Sequence, residues 1–172
     1  DHPICLLTFN QKNLLTEFEG KYHLVELGWV KDDQQMVSAY NAADILLMPS
    51  LAESFGMMAM EAMACGKPVI AFEDTALAEV LYAPEGGVTV PMNDGSALLQ
   101  ATVRLLAHPE ERRRIGETAR RIACQHYDVR RYVDQIIALY QEVIAKKTTS
   151  PRTIYLLSQL QRIKAEQTDM IT

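Results

Sequence analysis

The sequence is poor in cysteine and has no long apolar run, and both absences narrow the class of protein. Its three cysteines are widely spaced and form no CxxC pair, so neither a disulfide framework nor a zinc site is indicated. No apolar run approaches the roughly 20 residues that a membrane span needs. These absences favour a reducing compartment, and we expect a cytoplasmic protein.

The chain also lacks an excess of positive charge. Lysine and arginine number 17 against 22 aspartates and glutamates, for a formal net charge of −5. A nucleic-acid partner is not expected, since its phosphates call for a basic face. Small anionic ligands stay possible, because helix N-termini bind them without net charge. The arginines between Arg112 and Arg121 are spaced with glutamates as on a solvated helix, so peripheral membrane contact is possible but unsupported.

What is present fits one ordinary globular domain. The 172 residues are 48% apolar and 23% charged, which is enough to bury a real core. The chain opens with Asp1 and no initiator methionine, directly in front of an apolar run. We therefore expect it to be cut from a longer protein.

Short apolar runs alternate with helical stretches up to about residue 107. The predicted strands span 4–9, 22–27, 45–48, 69–72 and 88–90. Helices are predicted over 10–20, 57–64, 76–82 and 96–107. A further helix is predicted to begin at Asp32, which forms a capping box with Gln35. This alternation is typical of an α/β protein, with a Rossmann-like parallel sheet wound with helices on both faces.

The strand pattern stops after residue 107, and helices are predicted from there on. One is expected from 108 to 125, a second from the cap at Asp128 to about 147, and a third from 151 to about 167. We therefore predict an α/β domain over residues 1–147 and a carboxyl-terminal helical extension over residues 148–172.

The segment from Pro49 to Glu61 is the candidate site. A buried strand ends at Pro49-Ser50, a loop of small residues follows, and a helix begins near Ser54 to Gly56. In wound parallel sheets, ligands bind beyond the carboxyl ends of the strands, where this loop must lie. Gly56 has no Cβ and lets a ligand approach the backbone, while the free N–H groups from Phe55 to Met58 can hold a phosphate or a sugar hydroxyl.

Glu61 is the only charge on a helix that otherwise reads MMAMEAMAC. Burying a lone carboxylate is costly unless hydrogen bonds reach it, so Glu61 needs donors. A vicinal diol, such as that of a ribose, would supply two. Alternatively, Glu61 pairs with a backbone N–H or with Lys67 beyond the end of the helix.

A second carboxylate, Glu53, precedes the helix in the loop. Five helical steps of about 1.5 Å would place Gly56 roughly 7.5 Å from Glu61 along the axis. Two carboxylates on either side of free N–H groups suit a ligand with hydroxyls at both ends and phosphates between, which is the layout of a nucleoside diphosphate sugar. Alternatively, Glu53 is an exposed loop acid that the helix dipole favours.

These residues resemble the carboxyl-terminal domain of group 1 glycosyltransferases, family 4, which have the GT-B fold. The resemblance spans most of residues 22–144, and its most specific element is a pair of glutamates separated by seven residues, Glu53 and Glu61. Further matching segments are Leu27-Gly28-Trp29-Val30, Ala64-Cys65-Gly66-Lys67-Pro68, Glu79, VTVPMNDGSAL and HPEERRRIGETAR.

The resemblance implies a hexosyltransferase that moves a sugar from a nucleoside diphosphate donor to an acceptor with retention of configuration, without a cofactor or a required metal ion. By this resemblance Glu53 would be the catalytic residue, beside the transferred sugar or the reacting centre, and Glu61 would hold the ribose hydroxyls. The backbone N–H groups of Phe55, Gly56 and Met57 would contact the sugar and the diphosphate, and the backbone near Trp29 and Val30 would border the base. Ser54 would be a further donor-binding position.

The sequence departs from the family pattern in three places. Ser54 stands where a glycine is usual, and Asp74 to Leu77 replace a segment with a Gly-Gly pair before Glu79. The arginine and lysine that commonly grip the diphosphate have no counterpart in residues 1–20. We therefore expect the first strand–helix unit and an amino-terminal acceptor domain to lie upstream, and the isolated chain to be inactive.

Two other functions stay open. The chain could be a non-catalytic nucleotide-sugar-binding module, which predicts nucleotide binding without transfer even in the longer parent. It could also belong to another GT-B-like enzyme, an epimerase or a phosphorylase, which would place a reactive acid/base or a cofactor lysine in the cleft.

Overall fold

The chain folds into two compact units. The computed structural model describes residues 4–9, 22–146, 155–156 and 158–159. The first unit is Asp1–His126 and the second is Tyr127–Thr172. The predicted helix over 10–20 lies outside the described residues, as does most of the one over 151–167. The domain boundary expected after residue 147 stays a prediction.

Every strand pairing in the described residues is parallel. Strands β1 (Cys5–Thr8) and β2 (His23–Glu26) form one sheet. A second sheet has the order β3 (Leu46–Met48), β4 (Val69–Phe72), β5 (Val88–Val90). Each strand falls within its predicted span. The single sheet expected from the sequence is, over the described residues, two sheets, because hydrophobic periodicity identifies strands and not their partners.

Helices follow the strands as the sequence predicts. They are α1 (Asp33–Ala42), α2 (Met57–Ala64), α3 (Ala76–Val80), α4 (Gly95–Ala107), α5 (Pro109–His126) and α6 (Val129–Lys146). Asp32 caps α1, because its side chain accepts the Gln34 N–H at 3.1 Å. Among the described residues, the Gln35 side chain does not accept the Asp32 N–H, so the capping box is incomplete. Within the described ranges, no helix is both long enough and apolar enough to cross a membrane.

The core of the first unit forms around β4, which is buried at all four positions. Ile70 and Phe72 pack with residues of α4 and α5, among them Leu105 and Ile115. Side chains alternate between the faces of a strand, so Val69 and Ala71 point the other way, and both are fully buried. Helices α2 and α3 also contact β4. The α/β class with helices on both faces of a parallel sheet is therefore confirmed.

Helix α5 fixes the end of α2 through a close backbone contact. Gly116 of α5 lies against Gly66, and a Cβ on Gly116 would collide with the Gly66 carbonyl and lie 3.5 Å from Pro68 Cδ. Only a residue without a side chain lets the helix approach this turn. The position of α2, which carries Glu61, therefore depends on a glycine in α5.

Replacing Gly116 by alanine should push α5 away from the end of α2. Overpacking a close contact costs about 1–3 kcal/mol, so we expect the free energy of unfolding of Gly116→Ala to fall by that amount. Gly95→Ala is the matched control, because a Cβ there meets no atom within 4 Å. It should be neutral or slightly stabilising. Urea unfolding of both variants measures the difference, and equal stabilities would contradict the packing argument.

Candidate functional site

The loop after β3 lies where a parallel sheet presents its ligand site. Strand β3 ends at the buried Met48, and helix α2 begins at Met57. Because β3, β4 and β5 run parallel, their carboxyl ends meet at one edge, and the loop leaves the sheet from that edge. The predicted strand, loop and helix of the candidate site are therefore present.

The Glu53 carboxylate binds the backbone in front of α2. Its Oε1 atom accepts N–H groups from Ser54 at 3.0 Å, Phe55 at 3.3 Å and Gly56 at 3.2 Å. The N–H groups of Phe55 and then Gly56 lower the pKa of the Glu53 carboxyl from its usual value, since they stabilise the ionised form. Backbone donors that the resemblance assigns to the donor sugar and diphosphate are thus bound to Glu53 in this structure.

Gly56 is required by the backbone and by its neighbour. Its φ of 76° lies in the left-handed region, and a Cβ would come within 2.6 Å of Leu77 Cδ2 at the start of α3. The N–H groups of Met57 and Met58, in the first turn, have no acceptor among the described residues. Two backbone donors beside Glu53 are thus left for a ligand.

Glu61 receives its hydrogen bond from a residue that the sequence did not single out for the site. The Tyr40 hydroxyl, on α1, donates to Glu61 Oε2 at 2.8 Å, and Tyr40 is only 3% exposed. Lys67 Nζ instead donates to the Asn41 carbonyl at 3.0 Å. Neither the lysine nor a backbone N–H binds the Glu61 carboxylate within the described part of the chain, so both alternatives drawn from the sequence are absent.

Tyr40 could have been suspected from its chemistry but not paired from the sequence. It lies in the last turn of α1, and a buried tyrosine hydroxyl needs a partner. Burial first, and then the hydrogen bond to Glu61, raise the pKa of Tyr40 above its usual value, so the phenol stays protonated and donates at neutral pH. Nothing in the local pattern shows that α1 and α2 bring these two residues together.

Trp29 and Val30, the two residues predicted to border the nucleotide base of the donor, follow β2. Trp29 is 68% exposed, whereas Val30 is half-buried and lines a shallow depression of about 490 Å³. The walls of this depression come from β1, the segment after β2 and α1, and they do not include Glu53 or Glu61. In the described residues, no hydrogen bond or ring contact joins Trp29 or Val30 directly to either glutamate.

The cysteines are free, and the described residues bring no metal-ligand cluster together. Cys5 and Cys124 are exposed and Cys65 is half-buried, where burial raises the pKa of its thiol. Among those residues, no group of three or more His, Cys, Asp or Glu side chains could hold a metal ion. The expectation that no metal is required stays a prediction.

Curated relatives of the chain are longer glycosyltransferases. It is 37% identical over 112 residues to a D-inositol 3-phosphate glycosyltransferase of Saccharomonospora viridis, which covers 65% of this chain and 26% of the relative. It is 38% identical over 122 residues to a phosphatidyl-myo-inositol mannosyltransferase of Mycobacterium leprae, which covers 70% of this chain and 32% of the relative. The chain thus spans about a third or less of these proteins.

Solved structures share the fold. Sucrose-phosphate synthase from Thermosynechococcus elongatus superposes with a TM-score of 0.73 at 29% identity, over 83% of this chain and 38% of the other. HepE from Anabaena, solved in complex with UDP, superposes with a TM-score of 0.66 at 25% identity, over 74% of this chain and 35% of the other.

The family model for group 1 glycosyl transferases matches residues 8–122, more than half of the chain. That range contains the parallel strands β2 to β5, the Glu53 loop and helix α2. The family expected from the spacing of Glu53 and Glu61 is therefore confirmed, and the chain belongs to the group 1 glycosyl transferases.

Proposed function

We propose that this chain is the donor-binding domain of a retaining glycosyltransferase that moves a hexose from a nucleoside diphosphate sugar to an acceptor. One observation carries the proposal: Glu53 and Glu61 flank the first turn of α2, at the carboxyl end of β3. A carboxylate on each side of backbone N–H groups matches a ligand with hydroxyls at both ends and phosphates between.

Glu61 is assigned to the ribose. Its Oε2 atom is bound by Tyr40, and its Oε1 atom receives no donor from the described residues. A carboxylate has about four lone-pair sites, so one hydrogen bond leaves room for both hydroxyls of a vicinal diol. Hydrogen bonds to a charged acceptor are the stronger kind, which suits an anchor for the nucleoside end.

Glu53 is assigned to the reacting end of the donor. Its carboxylate accepts the N–H groups of Ser54, Phe55 and Gly56. A donor that uses the same N–H groups must displace the carboxylate, which then lies beside the transferred sugar. Freed N–H groups and the positive end of the α2 dipole would stabilise the charge that builds on the leaving diphosphate.

The class of ligand has support from a solved neighbour. HepE was crystallised with UDP and with UDP and glucose, at 25% identity to this chain. Trp29 and Val30 follow β2, and we assign the base to their backbone, beside the depression that Val30 lines.

An acceptor-binding domain is part of the proposal. The matched relatives are three to four times as long as the segment they share with this chain. Leu51, Phe55 and Met57 at the site are 62%, 58% and 58% exposed. An upstream domain that closes over this apolar rim would exclude water from the reaction.

The three free cysteines suit a reducing cytoplasm, and we place the enzyme there.

Calorimetric titration with UDP, GDP, ADP and dTDP tests the donor assignment. We expect weak binding of at least one of them, and a loss of roughly tenfold or more in Glu61→Ala, because a hydrogen bond to a charged group is removed. Glu85→Ala is the control, since the Glu85 side chain is exposed and makes no hydrogen bond or ion pair among the described residues.

The assignment of Glu61 to the ribose is wrong if the chain binds none of the four nucleotides, or if Glu61→Ala binds them as tightly as the wild type does. Sugar transfer is then measured for the 172-residue chain and for a longer parent that includes the upstream domain. We expect only the longer parent to catalyse sugar transfer. Nucleotide binding without transfer in the parent would favour a non-catalytic binding module.

The bonds of Glu53 predict a pH-dependent contribution to stability. Its pKa is lowered from 4.5 in the folded chain, so its stabilisation is complete above that value and is lost as the pH falls through the lower folded pKa. Glu53→Gln should therefore melt at a lower temperature than the wild type at neutral pH. The difference should shrink below about pH 4.5.

Thermal melting followed by circular dichroism from about pH 7 to about pH 3 measures this difference. Glu85→Gln makes the same chemical change at an exposed site without side-chain partners among the described residues, and it should show no such convergence. A Glu53→Gln difference that is absent at neutral pH, or that stays constant with pH, would contradict a stabilising role for the hydrogen bonds that the Glu53 carboxylate accepts.

A further inference from the structure

Two contacts hold the last turn of α1 against α2. The Tyr40 hydroxyl donates to Glu61 Oε2 at 2.8 Å, and Lys67 Nζ, just beyond α2, donates to the Asn41 carbonyl at 3.0 Å. The Tyr40 ring also contacts Phe9, with the ring centroids 5.9 Å apart. Tyr40 is 3% exposed, so its hydroxyl is fixed in place by packing around the ring.

A fixed hydroxyl restricts the carboxylate that it binds. Glutamate has three rotatable bonds, and immobilising such a side chain costs binding free energy when it happens only on ligand binding. In this chain the hydrogen bond to Oε2 sets the orientation of the Glu61 carboxylate before any ligand arrives. The remaining acceptor sites, including all of those on Oε1, then point in a constant direction.

We propose that Tyr40 is a positioning residue that presets the Glu61 carboxylate for the two ribose hydroxyls of the donor. This inference rests on the proposed function, because it takes Glu61 as the ribose anchor. Tyr40 touches neither the ribose nor the reacting atoms and acts only through Glu61. Its contribution must therefore depend on the presence of the ribose hydroxyls in the ligand.

A bond that only stabilised the fold would behave differently. Its loss would lower the fraction of folded chain and weaken every nucleotide by the same factor, with or without ribose hydroxyls. The preference for a ribonucleotide over its 2′,3′-dideoxy counterpart is therefore the readout that separates positioning from stability. Both affinities are measured on one preparation, so any unfolded fraction cancels in their ratio.

The test is Tyr40→Phe, which removes the hydroxyl and keeps the ring. The chain is titrated by calorimetry with UDP, GDP and ADP and with the 2′,3′-dideoxy form of each. We expect roughly three- to tenfold weaker binding of the ribonucleotide, the effect of leaving one flexible side chain unordered. Binding of the dideoxy form should be unchanged. Tyr132→Phe makes the same change at an exposed tyrosine on α6 and should leave both affinities unaltered.

The double variant Tyr40→Phe with Glu61→Ala completes a double-mutant cycle with the wild type and the two single variants. If Tyr40 acts through Glu61, removing its hydroxyl should add no further loss of ribonucleotide affinity once the carboxylate is gone. An equal loss for ribo and dideoxy nucleotides in Tyr40→Phe, no loss for either, or an additive loss in the double variant would each overturn the proposal.

The two levels of inference fail in different ways. If Glu61→Ala abolishes the preference for the ribonucleotide and Tyr40→Phe does not, the donor assignment stands and the role of Tyr40 is wrong. If the wild type shows no preference for ribose hydroxyls, or binds no nucleotide, the ribose assignment of Glu61 fails and the role of Tyr40 fails with it.

Discussion

The first turn of a helix must find acceptors for backbone N–H groups that the helix itself cannot satisfy. At α2 the N–H groups of Met57 and Met58 have no acceptor among the described residues, and Glu53 binds the N–H groups of the loop just before the helix. Glu53 turns back onto the N–H groups of Ser54, Phe55 and Gly56, and the left-handed Gly56 lets the chain enter the helix beside Leu77. The carboxylate that binds these loop N–H groups is the one that the family resemblance places at the reaction. Under the proposed function, the donor substrate would compete with Glu53 for these loop N–H groups.

Much of the fold could be predicted because it follows from local pattern. Strands β4 and β5 and helix α2 begin and end where the apolar runs do, and Asp32 caps α1 as its side chain and position suggest. Helical and extended segments differ in period, so the sequence separates them. Partners across the chain carry no such signal. The pairing of β1 with β2 alone, within the described residues, depends on tertiary contacts that no short window contains.

In the candidate site too, local features could be predicted from the sequence and contacts between distant elements could not. Glu61 could be identified as a carboxylate in need of donors, since a lone charge on an apolar helix is costly. Which donor it finds depends on how α1 lies against α2, and the structure supplies Tyr40 where the sequence suggested Lys67 or a backbone N–H. The glycine at position 56 was expected to admit a ligand. Its φ and the nearby Leu77 side chain show that folding itself also requires it.

The contact between Gly116 and Gly66 gives this site a distant point of failure. Among the described residues, helix α5 donates no hydrogen bond to the carboxylate of Glu53 or Glu61, yet it packs against α2 and fixes the turn that ends it. A side chain added there would shift the helix that carries Glu61, the proposed ribose anchor, without touching any ligand. In a screen for lost activity, such a substitution would look like a defect of the active centre. Only a comparison of its stability with its ligand affinity would trace the defect to helix packing.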